Sequence, residues 1–136
     1  MIRGIVSCLI AAVSLVLIGA NSDAWYVFAD EIPMTNPLAG NEAAIKEGRS
    51  WFRNVCSVCH GGKADGAGDR GTAADLRVFN KGFRRFIQTV KEGKNTGRTM
   101  TMPAWGGVLG DEQIYQIGAY LETLAIDGAN WKEEAN

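Results

Sequence analysis

Histidine is almost absent from this chain: its 136 residues include one, His60, and only three cysteines. This scarcity argues against a zinc site, because a structural zinc ion takes four ligands, chiefly thiolates and imidazoles. The third cysteine, Cys8, lies in an apolar N-terminal segment. The sequence also has no acid/base pair, no nucleophile next to a base and no glycine-rich phosphate loop. It therefore offers no machinery for hydrolysis or phosphoryl transfer.

Strand patterns and an excess of charge are also absent. The net charge is −1, and we expect no binding of nucleic acid. The charge is unevenly distributed, because basic residues dominate positions 81–98 and acidic residues dominate from Asp111 onward. The basic residues of that segment are Lys81, Arg84, Arg85, Lys91, Lys94 and Arg98. The segment is either a docking flank that steers an acidic partner or an ordinary solvated helix face.

The single histidine directly follows Cys56-Ser57-Val58-Cys59, which completes a Cys-x-x-Cys-His run. This run is the attachment pattern of a c-type haem, since two thiols one short turn apart add to the two vinyl groups of one porphyrin. A thioredoxin-like dithiol would follow a strand, whereas a helix precedes this run. A disulfide between the cysteines would leave the histidine unexplained. We predict one covalently attached haem, held by Cys56 and Cys59, with His60 as an iron ligand.

A methionine is the expected ligand on the other side of the iron. Met102 precedes Pro103, and proline biases the preceding residue towards an extended backbone that can hold a loop side chain in place. Met100 lacks this brace and is the second choice. A buried methionine is often only core filler, but glycines flank this loop on both sides. Iron ligation by His60 and Met102 would close the site, whereas an open face would permit gas or peroxide binding.

Three segments give the chain a resemblance to the class I cytochromes c over roughly residues 41–126. They are Gly48–His60, which ends in the haem motif, Met102–Gly106, and Ile117–Leu121 in the last predicted helix. The resemblance implies an all-α fold with three main helices and long loops around one covalently attached haem c. In that family the methionine before the proline is the iron ligand, which supports Met102.

One departure from the family concerns the partner of His60. The family commonly has a Gly-Pro-x-Leu turn whose carbonyl orients the imidazole, whereas the matching stretch here, Gly71–Leu76, has no proline. Metal-bound histidines usually donate their free N–H to an acceptor. We expect such an acceptor for His60, but the sequence does not identify it.

Helix boundaries follow from capping residues and apolar spacing. We predict one helix from an Asn41 cap to about Val55, and a second from an Asn80 cap to Gly93. The last helix is expected to run from Asp111 to about Asp127. Gly118 in this helix is expected to admit the ring of Phe52 or Trp51.

The N-terminus has the pattern of an export signal. A basic start is followed by a mostly apolar run from Gly4 to Gly19. We predict a signal peptide over residues 1–29, cleaved after Ala24 or Ala29, a lead-in over 30–40 and a cytochrome domain over 41–136. An uncleaved membrane anchor is the alternative, since the run is near the minimum length for a span.

These features predict a periplasmic, monomeric electron carrier rather than an enzyme. A narrower resemblance concerns 98–110 and 120–131, which look like the small cytochromes c that accept electrons from quinoprotein (PQQ-dependent) alcohol dehydrogenases. It implies such a dehydrogenase as donor, and a terminal oxidase or another cytochrome as acceptor. The alternatives are a haem enzyme or gas sensor with an open or labile sixth iron site, and a tethered subunit of a larger assembly.

Overall fold

Helices dominate the protein, as its sequence predicts. A computed structural model describes residues 32–97 and 101–132. The helical elements are α1 (Glu42–Trp51), a π-helical turn (Phe52–Cys56), α2 (Ser57–His60), a 3-10 turn (Leu76–Val78), α3 (Phe83–Glu92) and α4 (Asp111–Thr123). The loop after α2 also contains a two-residue antiparallel ladder of β1 (Ala67–Gly68) and β2 (Gly71–Thr72), which the sequence did not predict. The expected long loops and three main helices are confirmed.

Helices α1 and α4 cross at a glycine, but not at the expected one. Gly48 of α1 is buried, and a Cβ there would collide with the backbone carbonyl of Gln116 in α4. Gly118 instead lies against the rings of Phe83 and Phe86, at 3.0 and 3.2 Å from an added Cβ. The prediction that Gly118 admits Phe52 or Trp51 was therefore wrong. The apolar spacing of α4 could not reveal which helix covers which of its faces.

Helix α3 buries the four apolar residues whose spacing predicted it, Phe83, Phe86, Ile87 and Val90. Full burial of side chains this large contributes about 2 kcal/mol each relative to exposure. The helix begins after Gly82, whose N–H donates to the Asn130 carbonyl at 3.2 Å. Asn80 does not cap it, contrary to expectation. Gly93 ends the helix as predicted, with φ at +74° and its N–H on the Thr89 carbonyl.

Helix α4 ends at Thr123, earlier than predicted. Beyond it the chain leaves the helix to pair with the 3-10 turn, since the Ile126 N–H donates to the Arg77 carbonyl at 3.0 Å. At its start, the Gln113 side chain accepts the Gly110 N–H at 2.7 Å. Residues 127–132 then pack back as loop, with the ring of Trp131 4.9 Å from that of Phe79.

The lead-in before α1 is fixed by one buried asparagine. Asn36 is 7 % exposed, and its Nδ2 donates to the Tyr115 carbonyl of α4 at 2.9 Å. Its Oδ1 accepts the Leu38 N–H at 2.9 Å. Next to it Asn41 caps α1 as predicted, with its side chain accepting the Ala44 N–H at 3.0 Å. The predicted signal peptide lies outside the described residues, and within them no helix is long and apolar enough to cross a membrane.

Candidate functional site

The Cys-x-x-Cys-His run lies where α1 changes its helical pitch. Helix α1 passes into the π-helical turn, and the Ser57 N–H then reaches back to the Phe52 carbonyl. The Ser57 hydroxyl donates to the Arg53 carbonyl at 2.7 Å. Single π-helical turns inside α-helices are frequent at functional sites. Cys56 lies at the end of this turn, and α2 carries Cys59 and His60, so that one continuous helical segment positions all three side chains.

The imidazole of His60 has a defined acceptor. Its Nδ1 lies 3.0 Å from the backbone carbonyl oxygen of Ala74. A carbonyl only accepts, so in the neutral ring Nδ1 carries the proton and Nε2 keeps a lone pair for a metal. Ala74 lies inside the Gly71–Leu76 stretch in which the sequence provides no proline. The sequence therefore located the segment but could not identify the residue, because a backbone acceptor is independent of its side chain.

Backbone hydrogen bonds hold the Ala74 carbonyl in place. The Gly66 N–H donates to the His60 carbonyl at 2.8 Å, and the Ala73 N–H donates to the Gly66 carbonyl at 2.9 Å. Just beyond, the Asp75 carboxylate accepts the Arg77 N–H at 2.9 Å and pairs with the Arg77 guanidinium at 2.8 Å. The hydrogen bond from Arg77 lowers the pKa of Asp75. The loop that carries the acceptor is thus tied to His60 through Gly66, and the Asp75–Arg77 pair fixes the residues that follow the acceptor.

The β1–β2 hairpin packs directly against backbone carbonyls of α2. A Cβ at Gly68 would lie 2.6 Å from the Val58 carbonyl oxygen and closer still to that of Cys59. The Arg70 N–H donates to the Val58 carbonyl at 3.1 Å. The glycine is required by this close approach. The hairpin therefore limits movement of the residues between and after the two cysteines.

Cys56 and Cys59 are both free and partly buried. Burial, with a smaller contribution from the neighbouring Cys59, raises the pKa of the Cys56 thiol to about 12. Among residues 32–97 and 101–132, no group of three or more His, Cys, Asp and Glu side chains is placed to hold a metal ion. Two thiols one short turn apart are what thioether attachment to a porphyrin requires.

Met102 is positioned by its backbone. Its N–H donates to the Lys94 carbonyl at 3.0 Å, and its carbonyl accepts the Lys94 N–H at 2.9 Å. Gly93 lies so close that an added Cβ would be 2.6 Å from the Met102 carbonyl oxygen. The side chain is half-buried and packs against the core, whereas Met34 is 49 % exposed. Met100 and Arg98 lie outside the described residues.

The loop after Met102 is tied to the end of α3. The Trp105 N–H donates to the Val90 carbonyl at 2.9 Å, and the Gly106 N–H donates to the Lys91 carbonyl at 3.1 Å. These bonds satisfy carbonyls that a helix end leaves without intrahelical partners. The Lys91 ammonium also pairs with Asp111 at 2.6 Å. Helix α3 thus anchors both ends of the segment that carries Met102.

Partly buried apolar side chains occur within or close in sequence to these segments. Those packed on the buried core without being enclosed by it include Val55, Cys56, Leu76, Phe79, Met102 and Trp105. They come from the motif, from the loop that carries the histidine acceptor, and from the Met102 loop. A haem is a large, flat and mostly apolar group that would cover surface of this kind. The residues present therefore fit a covalently attached haem.

Comparison with known proteins agrees with this chemistry. Residues 43–121 match the family model described as cytochrome c oxidase, cbb3-type, subunit III. Cytochrome c550 of Pseudomonas aeruginosa is 29 % identical over 101 residues, which cover 72 % of this chain and 68 % of that protein. No solved structure gives a significant match.

Two further relatives are subunits of cbb3-type cytochrome c oxidases. The CcoP subunit of Azospirillum sp. (strain B510) is 28 % identical over 70 % of this chain, and that of Rubrivivax gelatinosus is 36 % identical over 62 %. The matches cover only 33 % and 27 % of those two subunits. The family match extends over more than half of the chain and includes the Cys-x-x-Cys-His segment. The chain therefore belongs to this cytochrome c family, and it is an electron-transfer c-type cytochrome that carries covalently bound haem c with its iron.

Proposed function

We propose that this cytochrome is a periplasmic carrier of single electrons, with its haem attached through Cys56 and Cys59 and its iron ligated by His60 and Met102. The observation that carries the proposal is the hydrogen bond from His60 Nδ1 to the Ala74 carbonyl, directly beside the two thiols. It selects the tautomer that leaves Nε2 free for iron. The bound haem supplies one-electron exchange between the ferrous and ferric states.

The chain contributes anchoring and rigidity. Two thioether bonds would fix the ring to a helix, and the β1–β2 hairpin packs against the backbone of that helix. The Ala74 carbonyl holds the imidazole orientation and increases its basicity as a ligand. Met102, on a loop anchored at both ends to α3, would close the second face of the iron and raise its reduction potential. A site closed in this way favours electron transfer over ligand binding.

An enzyme or a gas sensor remains the alternative class of function. It requires an iron face that is open or weakly capped. The half-buried position of the Met102 side chain and its short backbone bridge to Lys94 favour the closed site. A carrier without substrate chemistry is therefore our proposal, and carbon monoxide binding distinguishes the two.

The proposed donor is a quinoprotein alcohol dehydrogenase, and the proposed acceptor is a terminal oxidase or another cytochrome. The donor rests on the resemblance of 98–110 and 120–131 to the small cytochromes that serve these dehydrogenases. The acceptor draws additional support from the two relatives named as subunits of cbb3-type oxidases. Docking of such partners is typically small and transient.

Export would place the protein with these partners. We propose that residues 1–29 are a signal peptide removed after Ala24 or Ala29. The alternative is an uncleaved anchor that tethers the domain to the membrane. The mass of the protein recovered from the periplasmic and membrane fractions distinguishes them, because cleavage removes the first 24 or 29 residues.

The experiment that tests the proposed partner mixes the oxidised holoprotein with a purified quinoprotein alcohol dehydrogenase and its alcohol. We expect rapid haem reduction that depends on both enzyme and alcohol, followed by reoxidation on adding membranes that contain a cbb3-type oxidase. Reduction by ascorbate but not by the dehydrogenase would contradict the donor and leave the carrier function intact. Failure to cycle with any reductant and oxidant would contradict the carrier function itself.

A further inference from the structure

Exposed basic residues lie both in the 81–98 segment, as Lys81, Arg85 and Lys94, and on α1, where the sequence shows no such concentration. In the 81–98 segment, Lys91 is paired with Asp111 at 2.6 Å. By contrast, Lys46, Arg49 and Arg53 are all exposed on the outer side of α1 and its π-helical extension. Within residues 32–97 and 101–132 these three cations form no ion pair with a carboxylate.

The three cations share one groove. A surface depression of about 300 Å³ is lined by Lys46, Arg49, Ser50, Arg53 and Asn54. Every side chain in this set carries charge or a hydrogen-bond donor. Glu42 and Glu47 are also exposed on α1, but they do not line the groove. The groove is therefore a continuous cationic strip on a helix whose other side is buried against α4 through Gly48.

The direction of the groove links it to the haem attachment site. It begins near the middle of α1 and ends at Arg53 and Asn54, within one helical turn of Cys56. A protein bound along it would lie next to the segment that carries the haem. This position favours a redox partner over a ligand whose binding has no relation to electron transfer.

We infer that the α1 groove, formed by Lys46, Arg49, Ser50, Arg53 and Asn54, docks an acidic surface of a redox partner protein. The inference rests on the proposed carrier function and specifies the surface that it uses. Guanidinium groups bind carboxylates in a bidentate manner, so arginines suit an interface with aspartate and glutamate side chains. Complementary charge of this kind mainly accelerates association, and its effect falls with ionic strength.

The test compares two charge reversals of equal size. One variant carries Lys46→Glu and Arg49→Glu in the groove, and its matched control carries Lys81→Glu and Arg85→Glu, which are exposed in the basic segment before and within α3. Neither pair includes a haem attachment residue or an iron ligand. The visible spectrum, with its methionine-to-iron band, must be equal to that of the unmodified holoprotein in both variants, which excludes damage to the haem site.

The probe for the surface is poly-L-glutamate added to ¹⁵N-labelled reduced holoprotein, with the amide shifts as readout. We expect the largest shifts between residues 46 and 54, loss of at least about tenfold in affinity in the groove variant, and little change in the control. The shifts should vanish at high salt. Shifts centred on Lys81 and Arg85, or equal weakening in both variants, would overturn the inference.

Two additional probes separate other sources of anionic charge. Inorganic phosphate that reproduces the shifts at equal charge concentration would identify a simple anion site. Phosphatidylglycerol vesicles that compete while poly-L-glutamate does not would identify a membrane surface. Either result overturns the partner assigned here.

Electron exchange with the quinoprotein dehydrogenase gives the independent control. If the unmodified protein reacts but the groove variant reacts equally fast at low salt, this inference fails while the proposed function stands.

Discussion

The His60 and Met102 segments are held in different ways. His60 is held twice, by the helix that carries it and by its own side-chain hydrogen bond to the Ala74 carbonyl. Among the described residues, the Met102 sulfur has no hydrogen bond, and the residue is placed by its backbone bridge to Lys94. A thioether is a weak acceptor that an ordinary protein contact does not orient strongly. The position of the His60 imidazole is therefore fixed by two elements, whereas the position of the Met102 side chain depends on its loop.

The two sides share one feature, a glycine at a close backbone approach. Gly66 has φ at +82°, and an added Cβ would be 2.5 Å from the Ala73 carbonyl oxygen. Gly93 has φ at +74° and faces the Met102 carbonyl oxygen at 2.6 Å. Both conformations are strained for any residue with a Cβ, and both leave no room for one. Each glycine therefore provides a way to disturb one side of the site without altering a proposed ligand.

The largest effect is expected from removing the proposed methionine ligand. In Met102→Ala we expect loss of the sulfur-to-ferric-iron absorption band and a fall in midpoint potential on the order of 100 mV or more, since axial ligands tune haem potentials over about 0.8 V. Met34→Ala is the matched control, because Met34 is half exposed. Absorption spectroscopy and a redox titration measure both. Retention of the band in Met102→Ala would assign the ligand elsewhere, with Met100 as the first candidate.

A smaller effect is expected from disturbing the methionine loop. Gly93→Ala should destabilise the protein by about 2 kcal/mol, from backbone strain plus collision with the Met102 backbone, and should weaken the same band. Gly97→Ala is the control, because it has φ at +67° but no atom within 4 Å of an added Cβ. The Gly97→Ala variant should lose only about 1 kcal/mol of stability, from backbone strain alone, and should keep the band. Urea unfolding measures the loss of stability, and absorption spectra measure the band. Equal spectra in the two variants would contradict a role of Gly93 in positioning Met102.

Disturbing the histidine side should leave the methionine band intact. Gly66→Ala pushes on the Ala73–Asp75 backbone and should lengthen the bond from His60 Nδ1 to the Ala74 carbonyl. A weaker bond makes the imidazole a less basic ligand, so the ferric state loses stability and the midpoint potential rises. Gly62→Ala, with no atom within 4 Å of its added Cβ, is the control in the same loop. A potential that falls, or rises equally in both, would contradict this role.

The smallest expected effect is the loss of the stability that the Asp75–Arg77 pair contributes, at acid pH. Arg77 lowers the pKa of Asp75, so the pair contributes stability above the carboxyl's ordinary value of 3.8, and this stability is lost as pH falls through the lowered value. The Asp75→Asn variant keeps the oxygen that accepts the Arg77 N–H but loses the charge. We expect its melting temperature to converge with that of the native protein below pH 3.8 and to be slightly lower above it. A gap that widens towards acid pH would contradict the assignment.

Local signals in the sequence predicted local structure well. The Asn41 cap, the apolar spacing from Phe83 to Val90 and the Gly93 stop are confirmed, because each depends on residues within two turns of one another. Contacts between distant segments were not predictable in the same way. Gly48, not Gly118, meets the other terminal helix, and α4 ends early because Ile126 pairs with Arg77. Both outcomes depend on the tertiary arrangement.

The candidate site shows the same difference between local features, which the sequence predicts, and contacts of distant segments, which it does not. The Cys56–His60 run is contiguous, so the sequence predicts it directly, whereas the acceptor for His60 is a backbone carbonyl that an alanine supplies as well as a proline. Asn36, which ties the lead-in to α4, lies in a loop without periodicity and gave no signal. The α1 groove was missed because the sequence shows how many charges a segment has, but not which side chains line one depression of the surface.

The most direct test of the central account is the visible spectrum of the purified holoprotein in its ferric and ferrous states, extended into the red and repeated with carbon monoxide. A closed iron with histidine and methionine ligands predicts a low-spin spectrum, the weak methionine-to-iron band in the ferric state and no change on adding carbon monoxide to the ferrous state. A high-spin spectrum that shifts with carbon monoxide would contradict the closed site and identify the protein as a haem enzyme or gas sensor.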